Sequence, residues 1–177
     1  KWRRNYDKLW EEGFKEFCSN AKLKGIKIIV GVSPGLDFDF TNFIKKLSLN
    51  QFSKDYKILK KKCERLLNLG ANEIALLFDD LPNNFSSQHI HLNAEGEIHA
   101  QLSNKLSLNL KKSIYVVPRI YSNELFLDGI NYLKEFGNTI NPNLSCFYCG
   151  NYIVEKSFNK ISLEKISKIL PTKIVIW

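Results

Sequence analysis

Five short runs of nearly unbroken apolar residues punctuate the chain: residues 26–35 (IKIIVGVSPG), 73–80 (EIALLFDD), 113–118 (SIYVVP), 144–150 (LSCFYCG) and 173–177 (KIVIW). Runs of this length, rich in Ile, Val, Leu, Phe and Tyr, are what strands look like when both faces of a parallel sheet are covered. Between them the apolar residues return with helical period. Residues 6–24 carry Leu9, Trp10, Phe14, Phe17 and Cys18 and stop at Gly25; residues 42–47 are followed by residues 53–69, which run up to Gly70. Residues 95–111 carry Ile98, Leu102, Leu106 and Leu110, residues 123–136 end at Gly137, and residues 162–170 open on Ser162 as a cap and end before Pro171. Glycine after a helix and before a strand supplies the left-handed turn that such a connection needs. The alternation α-β-α-β predicts a parallel α/β architecture, either an open doubly wound sheet or a (β/α)8 barrel. No GxGxxG or GxxxxGK[ST] follows any strand, which counts against nucleotide binding.

Composition changes this picture little. The 177 residues suffice for one domain with a core, and no apolar run approaches the roughly 20 residues of a membrane-spanning helix, so no membrane partner is expected. The net charge of +8 could suit a nucleic acid, but the lysines lie mainly on amphipathic helices. Lys54, Lys57, Lys60, Lys61 and Lys62 share a segment with Ile58, Leu59, Leu66 and Leu67 and read as its solvated face, so no nucleic-acid partner is expected. Cys146 and Cys149 form a CxxC without the second pair that a zinc site wants. On a strand, residues three apart face opposite ways, so these thiols would not converge. The start, KWRRNYDKLW, lacks the apolar core of a signal peptide and reads as the middle of a longer chain, which leaves the compartment open.

The distinctive polar residues fall at the carboxyl ends of the strands, where both α/β architectures place their sites. SPGLD follows the first strand, Asp79–Asp80 end the second, PRIY ends the third, CG the fourth and Trp177 the fifth. Adjacent aspartates at the end of an apolar strand repel each other and lose hydration, which can split their pKa values into an acid and a base. They could equally cap the next helix or hold a divalent cation. His89 and His91 form an HxH that could bind metal but reads better as a polar loop.

Taken together, the segments GVSPGLDFDF (31–40) and IALLFDDLP (74–82), in that order and spacing, resemble glycoside hydrolase family 84, the protein O-GlcNAcases and hyaluronidase-like bacterial β-N-acetylglucosaminidases. Collinear echoes are KWRR (1–4), HAQ (99–101), YLKEFG (132–137) and VIW (175–177). The resemblance implies a partial (β/α)8 TIM barrel, with strands corresponding to the family's third to seventh and residues 1–177 as a single fragment of the catalytic domain. It also implies a retaining, substrate-assisted hydrolysis of terminal β-linked N-acetylglucosamine on a glycan or glycoprotein, without a cofactor or metal. Asp79 would hold the acetamido N–H, Asp80 would be the general acid and base, Tyr121 would contact the acetamido pocket, and Trp177 would wall the sugar.

The chain departs from the family pattern at two strand ends. A Pro-Thr-Glu-Tyr becomes Pro118-Arg119-Ile120-Tyr121, and a Trp-Thr-Gly becomes Tyr148-Cys149-Gly150. The first change predicts an altered pocket; together with the family's first two strands, expected before Lys1, it keeps open a catalytically impaired sugar-binding relative, and a metal-dependent phosphate enzyme using the Asp pair is the third possibility. Arg119 receives no role, and Asp37 and Asp39 read as loop or capping residues. The stretch alone is expected to be inactive and aggregation-prone, because an open five-strand piece leaves two edges uncovered.

Overall fold

The computed structural model describes residues 2–79, 81–82, 85 and 94–177, with Asp128 described in its backbone alone. Its elements, in chain order, are α1 (Lys8–Leu23), β1 (Ile29–Val32), α2 (Phe40–Ser48), α3 (Lys54–Asn68), β2 (Glu73–Leu77), α4 (Glu95–Leu110), β3 (Tyr115–Val117), a 3-10 turn (Asn123–Leu125), α5 (Phe126–Thr139), β4 (Ser145–Tyr148), α6 (Lys160–Ile169) and β5 (Lys173–Ile176). The strands are shorter than the apolar runs that announce them, because each run continues into the loop at its carboxyl end.

All strand pairs are parallel, and the sheet order is β1-β2-β3-β4-β5. This order separates the two architectures that the sequence left open. A doubly wound sheet reverses direction at a switch point; here each strand lies beside its predecessor, so crossovers of one hand stack the helices on one face. The packing agrees. Val32, Ile74, Leu76, Phe78, Ile114, Val116, Cys146 and Tyr148 join one core with Leu59 and Leu66 of α3, Leu102 of α4, Phe136 of α5 and Ile166 of α6. The alternate positions Leu77, Val117, Phe147 and Cys149 gather with Tyr121 on the opposite face. That second face is only partly covered: Ile29, Leu77, Tyr115 and Phe147 are half-buried or exposed among the described residues. The unbroken apolar runs are thus buried fully on the helix side and partly on the other, as in a barrel segment.

Local signals explain most boundaries. Asp7, Asp39 and Ser53 accept the amides of Trp10, Asn42 and Tyr56 and so start α1, α2 and α3. Two expectations are corrected. The cap of α6 is Asn159, which accepts from Ile161 and Ser162, rather than Ser162 itself. Gly137 lies inside α5 instead of ending it. A β-carbon there would overlap the Ile169 carbonyl oxygen, so this glycine serves the close approach of α6 to α5.

Candidate functional site at the carboxyl edge of the sheet

The loops after β1, β2, β3, β4 and β5 all emerge at one edge. After β1, Asp39 caps α2, as the sequence suggested, and Asp37 is used structurally: it accepts from Trp2 Nε1 at 2.6 Å and pairs with Arg3. Arg3 also grips Asp55 of α3 with Nε and Nη2 at 3.0 and 2.6 Å, while the Asp39 amide donates to the same carboxylate at 2.8 Å. Burial pushes the Asp55 carboxyl up, but the hydrogen bonds from Arg3 and the Asp39 amide outweigh it and hold the group below its ordinary range. KWRR and SPGLD, distant in sequence, therefore meet as one charged clasp.

Asp79 stands two residues beyond β2 and is half-buried. Its strand neighbours fix its side of the sheet. Phe78 is fully buried on the helix side, its amide bonded to the Val117 carbonyl at 2.9 Å, and Leu77 joins the opposite face. Asp79 itself lies in a turn; strand alternation continued past Leu77 would assign it to the side of Leu77. Asp80, His89 and His91 lie outside the described residues.

Tyr121 and Trp177, the other two residues singled out from the sequence, come together on that same side. Tyr121 is buried beside Val117 and Cys149, and Trp177 is 54% exposed; their ring centroids are 5.8 Å apart and tilted by 58°. Phe147 supports Trp177 from below at 5.9 Å. Two aromatic neighbours thus hold the Trp177 ring. Backbone bonds hold this pair in place: Cys149 N–H donates to the Tyr121 carbonyl at 2.7 Å, and Trp177 N–H donates to the Tyr148 carbonyl at 3.2 Å. Further along the loops, the amides of Asn123 and Glu124 donate to the carbonyls of Gly150 and Asn151.

The cysteines take no part as a pair. Cys146 lies in the helix-side core and Cys149 on the other face, as strand geometry requires. Burial pushes the Cys146 thiol up to about 12 and raises Cys149 as well, so both stay protonated and unreactive.

Sequence reasoning missed a buried polar cluster behind this edge. Arg119 grips Glu95, the first residue of α4, with Nε and Nη2, both at 2.8 Å. The side chains are 6% and 11% exposed. The guanidinium lies 4.7 Å above the Tyr132 ring, and the Arg119 amide donates to the Tyr132 hydroxyl at 3.0 Å. The same hydroxyl shares a hydrogen bond with His99 Nδ1, 3.1 Å away, and the His99 ring stacks on Phe78 at 4.1 Å. Burial raises Tyr132 well above its ordinary value and keeps the hydroxyl protonated. Ile120 is buried in the helix-side core as well. Both substituted positions of the PRIY segment thus turn into the helix layer, away from Tyr121 and Trp177. The available signal was an arginine inside an apolar strand end, since a charge in such a place demands a buried partner.

A parallel sheet wound in one direction with helices on one face defines a segment of a (β/α)8-type barrel. Solved structures agree on the fold. CpGH84B superposes with a TM-score of 0.79 at 23% identity, covering 99% of this chain and 30% of that one. A mutant O-GlcNAc hydrolase of Thermobaculum terrenum superposes with a TM-score of 0.81 at 20% identity, covering 99% and 37%. The family model described as beta-N-acetylglucosaminidase matches residues 1–177, and the chain belongs to that family. Protein O-GlcNAcase of Mus musculus is 28% identical over 185 residues, and that of Rattus norvegicus 27% over 188. These alignments cover 99% of this chain and 19% of either relative, so the chain spans about a fifth of their length.

Proposed function

We propose that the protein containing this chain is a retaining β-N-acetylglucosaminidase that removes terminal β-linked N-acetylglucosamine from a glycoprotein or glycan, and that residues 1–177 supply the third to seventh strands of its barrel. The observation that carries this reading is the meeting of Tyr121 and Trp177 on the face to which alternation assigns Asp79. A sugar walled by Trp177 and resting near Tyr121 would present its 2-acetamido group and its glycosidic oxygen toward the end of β2.

Those two groups sit on neighbouring ring carbons, and that accounts for adjacent acids. Asp79 accepts a hydrogen bond from the acetamido N–H, which makes the acetamido oxygen more nucleophilic. That oxygen attacks the anomeric carbon as the bond to the leaving group breaks, and Asp80 gives its proton to the leaving oxygen. The product is a bicyclic oxazolinium ion, its N–H still held against the Asp79 carboxylate. Asp80, now a carboxylate, takes a proton from water as the water oxygen attacks the same carbon. The oxazolinium C–O bond opens, the acetamido group is restored, and the anomeric configuration is retained. This route is one of the substrate-assisted exceptions to the usual spacing of two carboxylates.

Two lines support this reading over its rivals. Family membership favours a hydrolase over a phosphate enzyme. The placement of Arg119 and Ile120 in the helix layer weakens one of the two grounds for an impaired sugar pocket. The test is hydrolysis of an aryl β-N-acetylglucosaminide by the full-length protein, with and without EDTA. Turnover that is indifferent to EDTA is expected. Binding without turnover would favour an impaired relative, and loss of turnover in EDTA a metal enzyme.

A further inference from the structure

The Arg119–Glu95 pair is expensive to maintain, because both ions are withdrawn from water at one place. Its position suggests what is gained. Glu95 opens α4 at the end of the segment that leaves β2 past Asp79 and Asp80. Arg119 lies two residues before Tyr121 in the loop that leaves β3. The pair therefore ties the start of α4 to the loop carrying the candidate acetamido contact.

The tie is doubled behind the sheet. Phe78, next to Asp79, stacks on His99 of α4; His99 meets Tyr132 of α5; and Tyr132 accepts the backbone N–H of Arg119. The helices can approach closely enough because Gly96 follows Glu95. A β-carbon on Gly96 would overlap the Tyr132 carbonyl oxygen and crowd the Phe136 amide. Bidentate geometry adds direction, since a planar guanidinium fixes the carboxylate plane as a point charge cannot.

We infer that Arg119 and Glu95, with Tyr132 and His99 behind them, are positioning residues. They hold the β3 loop at a fixed height against the end of β2, so that Tyr121 and Asp79 address one acetamido group together. The inference rests on the proposed glycosidase reading for its chemistry, while its structural content, the placement of the Tyr121 loop, can be measured without any activity.

The test uses the full-length protein with Arg119→Lys, which keeps the charge but loses the fork, and with Glu95→Gln, which serves if the first variant fails to fold. Turnover and exchange are read per folded molecule. Positioning predicts that kcat on an aryl β-N-acetylglucosaminide falls on the order of tenfold while KM stays within about twofold, as misplacement by a fraction of an ångström does. It also predicts non-additivity: Tyr121→Phe costs much less in the Arg119→Lys background than in the wild type, because the tyrosine is already displaced. The activity-independent readout is hydrogen exchange at the Cys149 amide, which donates to the Tyr121 carbonyl. Exchange there should accelerate at least about tenfold, while amides in the middle of α3 keep their rates. Unchanged Cys149 exchange, or a lower melting temperature with unchanged kcat, overturns the inference and leaves the pair a stabilising contact. If Tyr121→Phe is silent, or no turnover occurs, the glycosidase reading fails; Cys149 exchange then still decides whether the pair positions the loop.

Discussion

Two arginine–carboxylate clusters brace loops at the same edge of the sheet, one at β1 and one at β3; their buried carboxylates, Asp55 and Glu95, are alike in exposure, and their arginines are not. In the β1 clasp, Arg3 is 32% exposed and shares itself between Asp37 and Asp55. In the β3 brace, Arg119 is almost fully buried and turns Nε and Nη2 on Glu95. The carboxyls respond in opposite directions. At Asp55, hydrogen bonds from Arg3 and the Asp39 amide overcome burial and lower the pKa. At Glu95, burial raises the pKa, the neighbouring Glu135 adds to the rise, and Arg119 pulls it only part of the way back. The same pairing of residue types is therefore a modest stabiliser where water reaches it and a rigid, demanding constraint where water does not. The constraint lies beside the candidate sugar-binding residues.

The largest effect should come from leaving a buried charge alone. Arg119→Met strands the Glu95 carboxylate and is expected to cost about 3 kcal/mol of stability, read by thermal unfolding of the full-length protein at neutral pH. A loss below about 1 kcal/mol would mean that water reaches the pair and that the contrast with the β1 clasp is false.

The next effect is a difference of sign in pH dependence. Asp55 has a depressed folded pKa, so its contribution is complete above about pH 4, the ordinary range of a carboxyl, and is lost as pH falls through the depressed value. Glu95 has a raised folded pKa, so its contribution is present below about pH 4 and is lost as pH rises through the raised value. The penalty of Asp55→Asn should therefore shrink in acid, while that of Glu95→Gln should shrink as pH rises. Parallel slopes for the two variants would erase the distinction. The smallest effect is expected from Arg3→Ala, about 1 kcal/mol, since its ion pairs are partly hydrated.

This contrast also marks how far the sequence could be read. The strands were legible because their apolar runs are nearly continuous, and the position of Asp79, Tyr121 and Trp177 near strand ends was legible from the same runs. Alternation of strands and helices did not give the direction of winding, since it is the same in a barrel and in a doubly wound sheet; only the family resemblance pointed to a barrel, which the strand order bears out. Gly137 was misread because a glycine that permits helix contact looks the same in sequence as one that ends a helix. The Glu95–Arg119 pair joins residues 24 positions apart, and nothing local in either segment names the other. What the sequence did carry was the anomaly of a lone arginine in VVPRIY.

The most direct test of the central claim is the leaving-group dependence of Asp79→Asn and Asp80→Asn in the full-length protein, assayed on aryl β-N-acetylglucosaminides of graded leaving-group acidity. If Asp79 grips the acetamido group and Asp80 moves the proton, Asp79→Asn slows every substrate alike, while Asp80→Asn slows poor leaving groups far more than good ones. An Asp79→Asn variant that spares the activated substrate would contradict the account.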